Sequence, residues 1–231
     1  MDARLEAIYR LIPPGKGVID VGTDHAYLPV RLALDGYAGR ILASDLREGP
    51  LATARRTAAQ AGVSAGIGFV LADGLAGCDP DAVDTIVIAG MGGDTICGIL
   101  DRAEWCMSPA YRLILQPMTK AEVLRYWLSN NGFAIEDEVL EEDAGTIYQI
   151  TAARYCGTNE TLSDAELYLG KRGLADPVLY RRLVDDLIGK VSRRLDGLRG
   201  ARSMEDRPIR DLERRLLELT EMRKEYDDDC S

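Results

Sequence analysis

One stretch of the chain combines a buried strand with a glycine turn: Val18-Ile19-Asp20-Val21-Gly22-Thr23-Asp24-His25-Ala26-Tyr27. The apolar residues around Asp20 predict a short buried strand, and Gly22 then opens a tight turn. Pro29 follows at a place where the first turn of a helix tolerates proline. The stretch therefore predicts strand, loop and helix, a unit that points backbone N–H groups at a ligand over the C-terminal end of the strand.

The composition of the 231 residues is that of an ordinary soluble globular protein, with 46% hydrophobic and 29% charged residues. The longest apolar runs are far too short to span a bilayer, and Met1 is followed by charged residues rather than by a secretory signal. The five cysteines are scattered without a CxxC pair, which argues against a disulfide framework and a zinc site. We expect a cytoplasmic protein that binds neither membrane nor metal.

Strand and helix patterns alternate through the first part of the chain. Predicted strands cover 17–21, 40–44, 67–71, 85–89 and 112–115, followed by a strand pair at 133–140 and 147–153. Predicted helices cover 2–12, 27–35, 50–61 and 94–103. A further helix is predicted to begin at a cap formed by Thr119 with Glu122. The pattern predicts an α/β fold with a doubly wound, mostly parallel sheet and an antiparallel edge.

The pattern changes past Gly157, where no strand-like run remains. After a short helix at 163–172, apolar spacings of three and four predict two long amphipathic helices with a turn at 200–208 between them. We expect an antiparallel hairpin of the coiled-coil type. The predicted domains are therefore 1–157, with the sheet, and 158–231, with the helices.

The turn after the first strand differs from the loops that bind phosphate groups. A dinucleotide-binding unit would carry GxGxxG there, but Gly22 is followed by Thr23-Asp24-His25-Ala26, with an acid where phosphate would lie. No GxxxxGKS/T loop occurs in the chain. NAD and FAD are therefore disfavoured, and a P-loop is excluded.

Acidic residues follow the second and third predicted strands, at Asp45 and at Asp73. Since the carboxyl ends of parallel strands meet at one edge of a sheet, we expect these acids beside Gly22. S-adenosylmethionine, a cofactor without phosphates, fits such an edge. Asp45 can accept both ribose hydroxyls, Asp73 can accept the adenine amino group, and Asp20 can organise the loop and the ammonium region.

Several segments of the chain together are more specific than these acids alone. They are Asp20-Val-Gly-Thr-Asp-His-Ala-Tyr-Leu-Pro29, Glu48-Gly-Pro50, Ala72-Asp-Gly-Leu75, Ile88-Ala-Gly-Met-Gly-Gly93, Leu113-Ile-Leu-Gln-Pro117 and Leu140-Glu-Glu-Asp143. In this order they resemble the bacterial tRNA (adenine-22-N1)-methyltransferase (TrmK) family over about the first 155 residues. The resemblance implies a Rossmann-like class I methyltransferase that uses S-adenosylmethionine to methylate N1 of an adenine in tRNA. It also implies a C-terminal coiled-coil domain that helps to hold tRNA.

The resemblance places Asp24 at the position that is proposed to engage the target adenine. N1 of adenine already bears a lone pair, so no proton has to leave before N1 attacks the methyl group. A carboxylate that accepts from the exocyclic amine pushes electron density toward N1 and stabilises the cationic product. The alternative is that Asp24 caps the following helix.

Other residues of these segments are candidates for the site. His25, the only histidine, and Tyr27 are catalytic candidates, although a lone histidine is often structural and Tyr27 could pack against the sheet instead. The expected cofactor contacts are Asp20, Gly22, Thr23, Asp45, Leu46, Asp73, Gly74, Ala89, Gly90 and Met91. The expected acceptor contacts are Gly92, Gly93, Gln116 and Pro117.

The charge distribution suits a polyanionic partner. Residues 171–215 hold thirteen Lys or Arg and eight Asp or Glu, a net charge of +5, whereas the rest carries −15 of the total of −10. Phosphate contacts would supply most of the affinity for tRNA. The candidates for these contacts are Arg193, Arg194, Arg199, Arg202, Arg207 and Arg210, with Arg4, Arg10 and Arg31 as additions from the first domain.

Two alternatives stay open from the sequence. The acceptor could be a small molecule, which the basic helical region disfavours. The protein could also be a non-catalytic tRNA-binding scaffold with a vestigial cofactor fold, which the joint presence of Gly22, Asp24, Asp45 and Asp73 disfavours. We expect a monomer.

Overall fold

The computed structural model of the chain describes residues 1–171, 176–200 and 206–229, except for the side chains of 200, 206, 207 and 225–229. The chain divides into two compact units, Met1–Thr161 and Leu162–Ser231. No helix in the described ranges is long and apolar enough to cross a membrane.

The first unit is a seven-stranded sheet with helices. The strands are β1 (Gly17–Val21), β2 (Arg40–Asp45), β3 (Ile67–Leu71), β4 (Thr85–Gly92), β5 (Arg112–Thr119), β6 (Phe133–Asp143) and β7 (Thr146–Tyr155). The helices are α1 (Ala3–Leu11), α2 (Tyr27–Leu34), α3 (Glu48–Gln60), α4 (Gly93–Asp101) and α5 (Ala121–Asn130). The strand order is β3-β2-β1-β4-β5-β7-β6, with parallel pairing among β1 to β5 and antiparallel pairing of β7 with β5 and β6. The predicted fold class is confirmed.

β1 occupies the centre of the parallel part of the sheet. All five of its residues are buried, which explains why its sequence is a short apolar run rather than an alternating one. In register, Val21 pairs with Ser44 on β2 and with Ile88 on β4. The carboxyl ends of these three strands therefore lie level at one edge of the sheet.

Two neighbouring strands, β4 and β5, are among those that extend further than the sequence predicts. β4 and β5 continue together past residues 89 and 115, because Met91 pairs with Pro117 and Gly92 pairs with Thr119 across an irregular register. The predicted helix cap at Thr119 is wrong, since Thr119 still belongs to β5. Lys120, with a φ of 59°, takes the N-cap position of α5 and makes no side-chain cap bond.

The second unit is helical throughout its described residues. Its helices are α6 (Asp164–Leu169), α7 (Pro177–Gly200) and α8 (Asp206–Asp229). Ser163 and Glu166 form a capping box at the start of α6. Apolar residues of α7 and α8 are buried where the two helices pack together, namely Val184, Val191, Leu195, Leu212 and Leu219. Part of the predicted turn, 201–205, lies outside the described residues, and the coiled-coil arrangement stays a prediction.

We expect Gly93→Ala to destabilise the first unit, because the new Cβ would lie 2.2 Å from the backbone oxygen of Lys120. Relieving that overlap requires the β4–α4 junction to move away from β5, at a cost of about 1–3 kcal/mol. Urea unfolding monitored by tryptophan fluorescence measures this cost, since both Trp105 and Trp127 lie in the first unit.

Gly98→Ala is the matched control in the same helix. Its Cβ would meet only the flexible Arg102 side chain, at 3.7 Å, and alanine favours the helical backbone by up to about 1 kcal/mol. A Gly93→Ala protein as stable as the wild type would contradict the close backbone approach at this junction.

Candidate active site

The loop between β1 and α2 holds its shape through backbone hydrogen bonds. The N–H groups of Gly22 and Thr23 both donate to the Ser44 carbonyl, at 2.8 and 2.9 Å. Asp24 and Ala26 adopt left-handed conformations with φ of 48° and 56°, which non-glycine residues rarely do. Ala26 is the N-cap residue of α2, and no side chain caps this helix. The alternative role of Asp24 as a helix cap is therefore not what the structure has, and its side chain is 68% exposed.

Asp20 is a buried acid directly beneath this loop. Its Oδ2 accepts a hydrogen bond of 2.7 Å from the hydroxyl of Thr23. Burial raises the pKa of Asp20 to about 6, although the Thr23 hydrogen bond and the charge of Arg4 lower it and the charge of Asp45 raises it further. A cation bound near Asp20 would favour its ionised form.

A cavity of about 480 Å³, the α4 cavity, opens over the ends of β1, β2 and β3. Asp45 lies in its wall and is almost fully buried, with Oδ1 accepting from the backbone N–H of Arg47 at 2.9 Å. Asp73 is exposed, and its carboxylate forms an ion pair of 3.1 Å with Arg102. Ile99 of α4 adds an apolar surface to the same wall. The wall thus offers the carboxylates of Asp45 and Asp73 as acceptors beside an apolar side chain, and it also holds two arginines, Arg47 and Arg102.

A second cavity of about 400 Å³, the α1 cavity, lies on the other side of the β1–α2 loop. Asp20, Thr23, His25 and Tyr27 are in its wall. The residues shared by the two cavities are Gly22, Asp24, Ala89 and Gly90. Asp24 therefore lies where the two cavities meet, a position from which one carboxylate can reach contents of either.

The aromatic rings of His25 and Tyr27 stack with centroids 5.3 Å apart and an interplanar angle of 10°. His25 Nε2 also lies 3.4 Å from the Asp24 carboxylate. Tyr27 is half exposed at the mouth of the α1 cavity, so its ring is open to a planar ligand. Tyr27 therefore does not pack against the sheet, which was the alternative left open by the sequence.

Some cofactor contacts expected from the sequence lie in the wall of the α4 cavity: Leu46, Gly74 and Met91. Met91 also covers Gly22, because a Cβ on Gly22 would lie 2.2 Å from the methyl carbon of Met91. Gly22 has a φ of 74°, so its backbone conformation disfavours a side chain, whereas the Met91 methyl group ends a flexible side chain that can move aside.

The expected acceptor contacts Gly92, Gly93, Gln116 and Pro117 line neither cavity. Gly92 and Gly93 form the start of α4, where their small size allows the close approach to the β5–α5 junction. Pro117 and Gln116 are buried behind the wall. Gln116 acts on the site indirectly, since its Oε1 accepts from the backbone N–H of Gly90 at 3.1 Å.

The wall of the α1 cavity also includes residues that the sequence does not predict as cofactor or acceptor contacts, among them Arg4, Met118 and Tyr148. Arg4, expected as a tRNA contact, comes from α1, Met118 from β5 and Tyr148 from β7. Only the position of Met118, directly after the segment that ends at Pro117, offered a signal in the sequence. For Arg4 and Tyr148 no local pattern did.

The basic candidates of the second unit are described for α7 and part of α8. Arg193, Arg194 and Arg210 are exposed, and Arg199 is exposed and paired with Glu213. Arg202 and the side chain of Arg207 lie outside the described residues. Among the described residues no group of His, Cys, Asp and Glu is arranged to hold a metal ion.

The strand order, the glycine turn after β1 and the acids after β2 and β3 define the class of this fold, a Rossmann-like methyltransferase sheet. The methyltransferase domain family matches residues 1–151, and the chain belongs to this family.

Individual relatives agree with this class. The tRNA (adenine(22)-N(1))-methyltransferase of Bacillus subtilis is 35% identical over 153 residues, which are 66% of this chain and 64% of that enzyme. The match thus spans slightly less than two thirds of the curated relative. The crystal structure of the B. subtilis m1A22 tRNA methyltransferase TrmK is 26% identical, with a TM-score of 0.77 over 99% of this chain and 97% of that one.

A Streptococcus pneumoniae protein described as a candidate tRNA (m1A22) methyltransferase has been solved in complex with S-adenosyl-L-methionine. It is 30% identical, with a TM-score of 0.81 over 95% of this chain and 98% of that one. The resemblance predicted from the sequence motifs is confirmed by these comparisons.

We expect Asp20→Asn to change how the stability of the first unit depends on pH. The folded pKa of Asp20, about 6, is above its ordinary value of 3.8, so the ionised carboxylate destabilises the fold at neutral pH. The wild type should gain up to about 3 kcal/mol relative to Asp20→Asn as the pH falls from 7.5 through 6 to 4. Urea unfolding of both proteins across this range measures the difference.

Thr23→Val is the matched control, since it removes the hydrogen bond to Asp20 and leaves the carboxylate in place. A stability difference between the wild type and Asp20→Asn that is the same at pH 4 and 7.5 would contradict the raised pKa.

Proposed function

We propose that this protein transfers a methyl group from S-adenosylmethionine to N1 of an adenine in tRNA, at position 22. The observation that carries the proposal is the arrangement of Asp24 between two cavities, one with the acids Asp45 and Asp73 in its wall and one with Tyr27 at its mouth. The name of the B. subtilis relative supports the reaction, and the complex of the S. pneumoniae relative supports the cofactor.

The α4 cavity fits the adenosine part of this cofactor. Asp45 would accept from the ribose hydroxyls and Asp73 from the adenine amino group, while Ile99 would cover the base. The cofactor has no phosphate groups, and the wall holds three carboxylates against two guanidinium groups, one of which, that of Arg102, is paired with Asp73. When bound, S-adenosylmethionine supplies an electrophilic methyl group on a sulfonium sulfur.

Asp24 would act on the acceptor base. Its exposed carboxylate can accept a hydrogen bond from the exocyclic amine of adenine, which raises the electron density at N1. The N1-methyl product is a cation, so a carboxylate beside it also stabilises the charge that develops during transfer. The backbone geometry of the loop fixes this carboxylate at the junction of the cavities.

Tyr27 and His25 would hold the base in place. The Watson–Crick edge that carries N1 is inaccessible in a paired base, so the adenine has to be unpaired or flipped out. A half-exposed tyrosine ring at the cavity mouth offers a stacking surface, and stacking on an aromatic side chain is worth about 1–3 kcal/mol per base. His25, stacked beneath Tyr27, would set the orientation of that ring.

The second unit would contact the tRNA backbone through exposed arginines. Within the described part of the chain, neither Arg193 nor Arg194 makes an ion pair with an acid, so both guanidinium groups are available for phosphate. We further propose that the protein acts as a monomer and in the cytoplasm, where tRNA is modified. Residues 157–161 would form the connection between the two units.

We expect the wild type to produce N1-methyladenosine in unmodified bacterial tRNA, and Asp24→Asn to lower kcat by about 10- to 100-fold. Asparagine tolerates the left-handed backbone at this position and can still accept a hydrogen bond, so the change removes mainly the charge. Methyl transfer from labelled cofactor, followed by nucleoside analysis, measures the rate and identifies the product. Binding of S-adenosylhomocysteine should stay within about twofold of the wild type.

Asp45→Asn is the matched acid-to-amide control. It should weaken binding of S-adenosylhomocysteine, because Asp45 is assigned to the ribose. Transfer to a small molecule but to no tRNA would show that the acceptor is a small molecule. Binding of tRNA without any methyl transfer would favour a non-catalytic scaffold. An unchanged kcat in Asp24→Asn would remove Asp24 from the mechanism.

We expect the double variant Arg193→Ala/Arg194→Ala to weaken tRNA binding and to lower the slope of log K against log salt by about 2. Fluorescence anisotropy with labelled tRNA between 50 and 300 mM salt, roughly the range over which phosphate contacts are screened, measures both effects. The adjacent pair Arg55→Ala/Arg56→Ala on α3 removes the same charge from the first unit and should leave the slope nearly unchanged. Equal effects of the two double variants would show that net charge, rather than α7, determines binding.

A further inference from the structure

Arg47 is a cation in the wall of the α4 cavity to which the proposed reaction gives no role. It is the N-cap residue of α3, close to the carboxyl end of β2. Its backbone N–H donates to Asp45 Oδ1 at 2.9 Å, so the residue is held directly beside the acid assigned to the ribose. Arg47 is nevertheless exposed, which leaves its side chain accessible from outside the cavity.

The guanidinium group of Arg47 is unpaired although acids surround it. Three carboxylates belong to the same cavity wall, those of Asp24, Asp45 and Asp73. Neighbouring arginines do form ion pairs, since Arg102 lies 3.1 Å from the Asp73 carboxylate and Arg55 lies 2.7 Å from that of Glu48. Within the described part of the chain, the Arg47 side chain makes neither an ion pair nor a hydrogen bond. Its charge is therefore available to a ligand.

The two proposed substrates differ in what they offer this cation. The adenosine part of the cofactor, assigned to the α4 cavity, has no anionic group. The acceptor does have one, because every nucleotide of tRNA carries a phosphate, and arginine can bind phosphate through two parallel N–H···O contacts. Asp24, assigned to the target adenine, lies in the same cavity wall as Arg47. A nucleotide whose base is held at Asp24 therefore brings its backbone close to a free guanidinium group.

We propose that Arg47 binds a backbone phosphate next to the target adenine of the tRNA. The inference rests on the proposed function and adds to it a backbone contact on the first unit, separate from the arginines of α7. The three carboxylates of the cavity wall repel a polyanion, and an unpaired guanidinium group beside them offsets part of this repulsion. The contact also determines where the backbone passes the site, namely on the side of β2 and α3.

The first test compares Arg47→Gln with Arg56→Gln, each of which removes one positive charge. Arg56 is the matched control because it is exposed on α3 and donates to Thr53 of the same helix at 3.4 Å. Arg47→Gln should weaken tRNA binding by about tenfold at roughly 50 mM salt and lower the slope of log K against log salt by about 1, as for the loss of one phosphate contact. Arg56→Gln should leave both nearly unchanged. Fluorescence anisotropy with labelled, unmodified tRNA measures affinity and slope.

Ethylation interference then locates the contact on the tRNA. An ethyl group removes the charge of a phosphate, so molecules ethylated where the protein binds are depleted from the bound fraction. In the wild type we expect depletion at a phosphate that flanks the target adenine, and in Arg47→Gln this depletion should disappear. In the double variant Arg193→Ala/Arg194→Ala it should persist. Arg47→Lys keeps the charge and should retain the salt slope of the wild type.

Isothermal titration with S-adenosylhomocysteine separates a phosphate from the cofactor as the ligand of Arg47. Its affinity for Arg47→Gln should stay within about twofold of the wild type, which also confirms that the variant is folded. A loss of this affinity as large as the loss for tRNA would show that Arg47 contacts the cofactor, and the proposal is overturned. Equal salt slopes of Arg47→Gln and the wild type, or equal losses in Arg47→Gln and Arg56→Gln, overturn it as well. If the wild type neither binds nor methylates tRNA, the proposed function itself fails.

Discussion

Burial of β1 between two parallel neighbours is the constraint on which the site depends. The register of Val21 with Ser44 places the carbonyl of Ser44 where it accepts from the first two N–H groups of the loop. The same register puts Asp45 beside Gly22, at the edge where ligands of open α/β sheets bind. A shift by one residue would turn the side chains of β1 to the opposite faces and separate these groups.

Packing of the core stabilises the fold enough to offset the free energy that the buried and strained groups of the site cost. Asp20 is a largely buried acid, and two non-glycine residues of the loop, Asp24 and Ala26, are left-handed at a cost of about 1–2 kcal/mol each. The buried apolar cluster beneath the loop, which includes Val18, Ala26 and Leu28, keeps this conformation in place. Such groups concentrate where a protein positions ligands, because rigid surroundings prevent them from relaxing.

The sequence predicted the type and order of the elements well, because strand and helix periodicities are local. It failed where one pattern serves two purposes. The segment from Gly90 to Gly93 is equally suited to bring a ligand close to bare backbone and to pack two backbones together. Gly90 faces the cavities, whereas Gly93 touches the backbone of Lys120, and only the pairing of β4 with β5 distinguishes them.

The sequence alone predicts that the acids after β2 and β3 lie at one edge of the sheet, because parallel strands separated by helices bring their carboxyl ends to the same edge. The sequence did not show which distant residues would line the same cavity. Arg4 and Gln116 are 112 residues apart in the chain and meet only because α1 packs beside β6 and β7 at the end of the sheet order. Local spacing reports neighbours within one strand or helix, whereas contacts between distant segments depend on how the whole sheet is assembled.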